Sequence, residues 1–300
     1  MRKPGFILVA EPGARNTVIE IAQDLDRRGF SHIYCPTGVD PDRPFGDNLG
    51  LCIALAQATD QIEIGTGIAN IYARHPAQMA DTASFINETS GGRFVLGLGV
   101  ADPGINALYG KSSEKPLAAM RQYVADMRAA ADEQPFPRIM LASMRKKMTR
   151  LAGEIADGAI WAMGVRSHMA TSLQELPAGT REDFIVGNNI RCVVTDDAQG
   201  AAREVRQRMR RILSSPPLQA YFIEAGFGEE MRRVHAAVAA DDEAGFLAAV
   251  SDRLLDEVTL IGTPSQIRDK VEAWYGTGVN RLTIAGTSPE AVRRIADIFD

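Results

Sequence analysis

Apolar residues gather into eight short runs, at 6–10, 32–35, 62–68, 94–98, 139–142, 159–162, 184–194 and 282–285. Short continuous apolar runs suit parallel strands that are covered on both faces. Each is followed by a stretch with helical spacing, at 17–28, 48–59, 77–87, 116–130, 145–156, 167–176, 201–213 and 290–299. Eight strand–helix units in 300 residues predict a (β/α)8 barrel in one domain, 1–300. A doubly wound open sheet is the other α/β solution, but it would need a phosphate-binding fingerprint after the first strand, and Glu11-Pro12-Gly13 is not one. A further helical pattern at 265–275, with Thr263 as N-cap and Pro264 at its first position, precedes the last strand.

The segment 216–257 does not fit the alternation. It scatters Tyr221, Phe222, Phe227, Phe246, Leu247 and Leu254 among Ala, Glu and Arg, which predicts two or three short helices inserted after the seventh strand. Insertions in strand-to-helix loops commonly cover the mouth of a barrel, so this one is a candidate lid; a dimer-packing arm is the competing reading. No Pro/Gly/Ser linker, repeat or low-complexity tract divides the chain.

Composition narrows the chemistry. With 45% hydrophobic residues the chain can bury a large core, and a net charge of -5 argues against a general nucleic-acid surface. An anionic ligand must therefore meet a local basic cluster. Cys35, Cys52 and Cys192 are widely spaced, form no C-x-x-C pair and predict ordinary packing in a reducing compartment, with no metal site. The N-terminal apolar run is too short for a signal peptide or a membrane span, so the expectation is a cytoplasmic protein.

Functional groups of a barrel sit at the C-terminal ends of its strands. Those ends are poor in histidine and rich in glycine, which suits a large flat ligand pressed on backbone better than metal or thiol hydrolysis. Gly65 and Gly67 interrupt the third run, and Gly97 and Gly99 the fourth. Asp102, before Pro103-Gly104, reads as a turn or N-cap aspartate or as a proton donor facing the ligand. His75 precedes the third helix and reaches either the substrate or Asn70. Glu63, on the inward-or-outward alternation of the third strand, predicts a structural ion pair. Arg145, Lys146 and Lys147 open the fifth helix, with Ser143 as N-cap, where free N–H groups and the helix dipole favour an anion. The string Ser143-Met144-Arg145-Lys146 spells S-x-x-K, but the companion motifs of acyl-serine enzymes are absent.

The stretch 62–100, IEIGTGIANIYARHPAQMADTASFINETSGGRFVLGLGV, with Asn70, Arg74, His75 and Pro76, resembles the third and fourth units of the bacterial luciferase-like family of flavin and deazaflavin oxidoreductases. Within it, the chain is most similar to the branch that uses coenzyme F420. The likeness extends through 137–158 and through Ile261-Gly262-Thr263-Pro264-Ser265 to the last strand. It implies a non-prolyl cis peptide at Gly67-Ile68, bulging against the central ring of the cofactor. It also implies a cofactor site made by Gly67, Ile68, Asn70, Gly97, Gly99, Ala142, Ser143, Met144, Arg145, Lys146 and Lys147, with Asp102 and His75 as catalytic residues. Where deazaflavin members often carry Asp-His after the second strand, this chain has Thr37-Gly38, which removes the usual histidine acid. The expectation is hydride transfer between coenzyme F420 and a small molecule with a C=C, C=N or C=O bond, in a homodimer without nucleic-acid or membrane partners. An FMN-dependent monooxygenase is the alternative, and a non-catalytic flavin or deazaflavin binder the third reading.

Overall fold

The computed structural model describes residues 2–9, 13–37, 46–112 and 115–300. Ala10 at the end of the first apolar run, Glu11 and Pro12 after it, and Gly38, from the replaced Asp-His pair, lie outside the described residues. Among the described residues the eight expected runs form the barrel strands β1 (Gly5–Ile7), β2 (His32–Cys35), β3 (Glu63–Thr66), β4 (Phe94–Gly99), β5 (Arg138–Ala142), β6 (Gly158–Ala162), β7 (Ile185–Val194) and β8 (Arg281–Ala285). They pair in parallel in chain order, and β8 pairs back with β1, so the sheet closes into the (β/α)8 barrel. Among the described residues no helix is long and apolar enough to cross a membrane.

Two short strands depart from the reading. The run 62–68 is broken after Thr66, and Ala69–Asn70 resumes beside the end of β4, pairing with Leu98 and Gly99. The run 184–194 is one strand with two neighbours at its far end. Residues Gly187 to Arg191 pair with β8, and Arg191 to Val194 pair with Thr259–Gly262, a strand supplied by the end of the insertion.

Periodicity located the helices to within a few residues, from Arg15–Arg27 to Pro289–Ala296. The pattern at 167–176 shortens to a 3-10 turn and Met169–Leu173, and Pro103–Leu108 was not foreseen. The insertion makes four helices rather than two or three: Pro216–Glu224, Gly228–Ala239, Glu243–Ala249 and Asp252–Val258. Local signals cut it up: Gly226 takes φ +89°, and the side chains of Asp242 and Ser251 cap new starts by accepting from the N–H of Gly245 and Leu254. Tyr221, Phe222, Phe227, Phe246 and Leu254 give these helices a buried core.

Inside the barrel, side chains alternate by period two. The middle layer is Tyr34, Val95, Met140, Ile160 and Ile185, with Ile68 and Ala142 packed on it. Below lies a polar layer. Glu63 accepts from Arg281 Nε and Nη2, each at 3.1 Å, and from the Tyr34 hydroxyl at 2.8 Å, which is the ion pair expected of it. His32, fully buried, bonds Thr283 Oγ1 at 2.9 Å through Nε2 and Ser31 Oγ at 2.8 Å through Nδ1.

The glycines of β3 and β4 serve this packing. A Cβ on Gly65 would stand 2.5 Å from the Val95 carbonyl oxygen, one on Gly97 would strike the Thr66 carbonyl, and one on Gly99 would meet Ile68 Cδ1 at 2.7 Å. A side chain at these three positions would collide with the barrel's own atoms, because neighbouring segments approach closely there.

Candidate functional site

The peptide bond between Gly67 and Ile68 is cis, as the resemblance implied. It lies where β3 ends and Ala69–Asn70 begins, at the C-terminal mouth. Its surroundings are a network of amides. The Ile68 carbonyl accepts from the Thr37 N–H at 3.1 Å and from Asn48 Nδ2 at 3.3 Å, while Asn48 Nδ2 also donates to the Cys35 carbonyl at 3.0 Å. On the barrel side, Asn189 Nδ2 reaches the Gly67 carbonyl at 3.5 Å. Asn70 Nδ2 donates to Asn106 Oδ1 at 2.9 Å, and Asn70 Oδ1 accepts from the Tyr72 N–H at 3.0 Å. Asn106 in turn donates to the Val100 carbonyl, so the unforeseen helix Pro103–Leu108 serves to hold Asn70 still.

Beside this bond opens a cavity of about 300 Å³ whose walls include Thr37, Asp47, Asn48, Asn70, Arg74 and Tyr109. Thr37, which replaces the acid of the family pair, thus lines the cavity and anchors the cis bond through its backbone. Arg74 and Asp47 stand 3.7 Å apart across part of the wall.

The two expected catalytic residues are both exposed N-caps. His75 Nδ1 accepts from the Ala77 N–H at 3.2 Å and caps Pro76–Thr89, and the bonds of Asn70 go to Asn106 and Tyr72 instead of to His75. Asp102 Oδ1 accepts from the Gly104 N–H at 2.9 Å, and its Oδ2 accepts from Ser215 Oγ at 3.1 Å. Ser215 stands at the start of the insertion, so Asp102 ties the β4 turn to that segment.

The basic start of the fifth helix differs in detail from its expectation. The helix is Lys146–Ile155, and its N-cap is Arg145 rather than Ser143, with no side-chain cap. Ser143 is buried and donates to the Leu141 carbonyl at 3.3 Å, because the chain stays extended through Arg145 before the helix begins. Met144 turns its sulfur to the Ala162 N–H at 3.5 Å. Arg145 is engaged: its Nε and Nη2 bond Glu224 at 2.9 and 2.5 Å, and that hydrogen bond is the main reason its pKa lies above the ordinary value. Lys146 and Lys147 are exposed beside first-turn N–H groups that no side chain caps.

The insertion covers one side of the mouth. Besides Ser215 with Asp102 and Glu224 with Arg145, Tyr221 Oη accepts from the Val165 N–H at 2.8 Å, and Glu257 accepts from the Ser167 N–H at 2.7 Å. These ties reach the loops after β4, β5 and β6.

Sequence reading missed Asn48, Asn106 and Asn189. For Asn189 a signal existed: Asn188-Asn189-Ile190-Arg191 breaks an apolar run with polar residues at alternate positions. Asn189 Oδ1 is buried and, among the described residues, has no hydrogen-bond partner, an unmet acceptor beside the cis bond.

The 5,10-methylenetetrahydromethanopterin reductase of Methanolobus tindarius is 26% identical over 302 residues, which cover 90% of each chain. Among solved structures, the coenzyme F420-dependent tetrahydromethanopterin reductase of Methanopyrus kandleri superposes with a TM-score of 0.76 at 17% identity, covering 98% of this chain and 97% of that one. The oxygenating constituent of 3,6-diketocamphane monooxygenase from Pseudomonas putida, in complex with FMN, gives 0.66 at 15% identity, covering 99% and 96%. At such identities the two structures speak for the fold alone. The family model for luciferase-like monooxygenases matches residues 5–281, from the start of β1 to the start of β8, and the chain belongs to that family.

Proposed function

We propose that this chain is an oxidoreductase that uses coenzyme F420 to reduce or oxidise a small organic molecule at the barrel mouth. The likeness to a methylenetetrahydromethanopterin reductase over nine-tenths of both chains carries the reading. The residues present fit such a cofactor. The unpartnered Asn189 Oδ1 beside Gly67-Ile68 suits a heterocycle with an N–H at its edge, and the open N-terminus of Lys146–Ile155 suits a phosphate. When bound, the reduced deazaflavin supplies hydride; the protein supplies orientation and a dry, shaped site. FMN shares both the polar ring edge and the phosphate, and the FMN-bound neighbour makes an FMN monooxygenase the second reading.

Titration of the purified protein with each cofactor, followed by absorbance, tests the choice. Tighter binding of the deazaflavin is expected, and saturable binding of FMN alone would transfer the assignment to the second reading. Since Glu224 already neutralises Arg145, the phosphate falls to Lys146 and Lys147. Changing both to Ala is expected to weaken deazaflavin binding about tenfold or more, with a shallower salt dependence, because charge-assisted contacts have been removed. Unchanged affinity at low salt would place the phosphate elsewhere.

For proton delivery we assign Asp102, whose carboxylate is aligned by Gly104 and Ser215. Asp102→Asn keeps an acceptor for the cap and removes the titrating proton, so turnover should fall about a hundredfold with cofactor affinity intact. Wild-type turnover across pH in that variant would leave Asp102 a cap and nothing more. His75 receives no step, since its ring nitrogen is engaged as a cap.

A further inference from the structure

Four inward positions of β7 can be followed up the barrel wall. Ile185 belongs to the interior layer, Gly187 lies against Ile160, and Asn189 reaches the Gly67 carbonyl. The next position of the same parity is Arg191, roughly 7 Å farther toward the mouth at the rise of a strand. Its partners across the sheet are Ala285 of β8 and Thr259 of the insertion's strand, so it stands where β7 leaves the barrel.

Arg191 is half-buried, yet among the described residues its guanidinium makes no hydrogen bond or ion pair. Other arginines withdrawn from solvent are supplied with acceptors: Arg281 has Glu63, Arg93 has the carbonyls of Ala56, Thr59 and Ile62, and Arg166 has Asp256 and Glu257. The charge that acts on Arg191 is a like one. Burial first, and then Arg208 on the helix Ala198–Leu213, hold its pKa below the ordinary arginine value. A cation that is partly desolvated and feels the charge of a second cation is unfavourable until an anion joins it. The chain has 38 acidic residues, and none of those described is placed against Arg191.

We propose that Arg191, backed by Arg208, holds the anionic end of the substrate, so that the molecule turned over is a carboxylate- or phosphate-bearing one. This rests on the oxidoreductase reading above and names its substrate class. The anion of the cofactor has its own place at Lys146 and Lys147 after β5, with β6 intervening between that strand and β7. Asn189, one inward step below Arg191, joins this anchor to the cis bond where the ring is expected. A substrate fixed at Arg191 thereby lies over the mouth beside that ring.

Inorganic phosphate and propionate serve as probes, titrated calorimetrically at low salt into the full-length protein loaded with F420. Phosphate is expected to bind, to bind at least tenfold more weakly to Arg191→Gln, and to lose less in Arg191→Lys, which keeps the charge without the fork. Equal phosphate affinity in wild type and Arg191→Gln would overturn the proposal. Weakening of F420 binding by Arg191→Gln to the same degree would also overturn it, since the anion would then be the cofactor's. A parallel titration without F420, on Lys146→Ala/Lys147→Ala protein in which only the Arg191 site remains, separates the two readings. If F420 fails to bind the protein at all, the F420 reading falls, while this arm still reports on Arg191. Thermal melts of both Arg191 variants show whether a lost affinity reflects a lost fold.

Discussion

Arg281→Met is expected to lower the unfolding free energy by about 3 kcal/mol, measured by urea denaturation at neutral pH. The guanidinium makes two 3.1 Å hydrogen bonds to the Glu63 carboxylate at the floor of the barrel. Their side chains are 26% and 19% exposed, so water softens the penalty without removing it. Without Arg281, Glu63 keeps the Tyr34 hydroxyl but loses its counter-charge. The loss is therefore that of a stranded charge, and the intact pair is worth much less against an apolar floor. Glu63→Leu combined with Arg281→Met should accordingly recover most of the stability. A loss below 1 kcal/mol for Arg281→Met alone would mean that water reaches Glu63 freely.

Acid should begin to destabilise the fold near pH 6.5, well above the range of ordinary carboxylates. Burial pushes the His32 imidazole from 6.5 down to about 3, with Glu63 opposing and Arg281 and Arg2 reinforcing the shift. The unfolded chain takes up a proton at His32 below pH 6.5, while the native chain refuses it until near 3. Stability from this group is thus fully present above 6.5 and is lost as pH falls toward 3, by at most about 1.4 kcal/mol per pH unit and about 5 kcal/mol in all. Glu63 adds a later component. The Arg281 hydrogen bond holds its pKa below the usual value against the cost of burial, so its contribution is present above about 4.5 and disappears as pH falls through its folded pKa. Denaturation midpoints from pH 8 to 4 measure the limb. His32→Gln should remove most of the slope between 6.5 and 4.5 whatever its effect on absolute stability, leaving the smaller part due to His168, whose imidazole burial also holds below its usual pKa. A wild-type profile that is flat down to pH 5 would show the imidazole to be solvated.

Much of the architecture was legible in residue order. The eight barrel strands were readable because a strand covered on both faces is largely apolar, and the few polar residues among them do not hide the runs. The ion pair of Glu63 was legible for a related reason, since a carboxylate inside an apolar strand demands a partner, although nothing in the spacing named Arg281, 218 residues away. Helix starts carried their own chemistry, and Thr263 with Gln266 forms the reciprocal cap at the start of Pro264–Tyr275.

The site was less legible, because its groups acquire meaning from what stands opposite them. Gly97 and Gly99 were read as room for a ligand, and nothing in residue order showed that close packing against Thr66 and Ile68 also calls for glycine there. Arg145 looked like phosphate charge until Glu224 arrived from the insertion, 79 residues later, and Ser143 lost its cap role when the chain stayed extended through Arg145. Residue order alone determined the barrel and its eight strands, because local pattern and burial on two faces leave few other solutions, while the place of the cis bond came from the family resemblance. Only the tertiary structure decided which polar groups remain unmatched at the mouth, Asn189 and Arg191 among them. Whether a buried amide or guanidinium finds a partner depends on side chains brought from distant segments, and that meeting has no signature in a linear pattern.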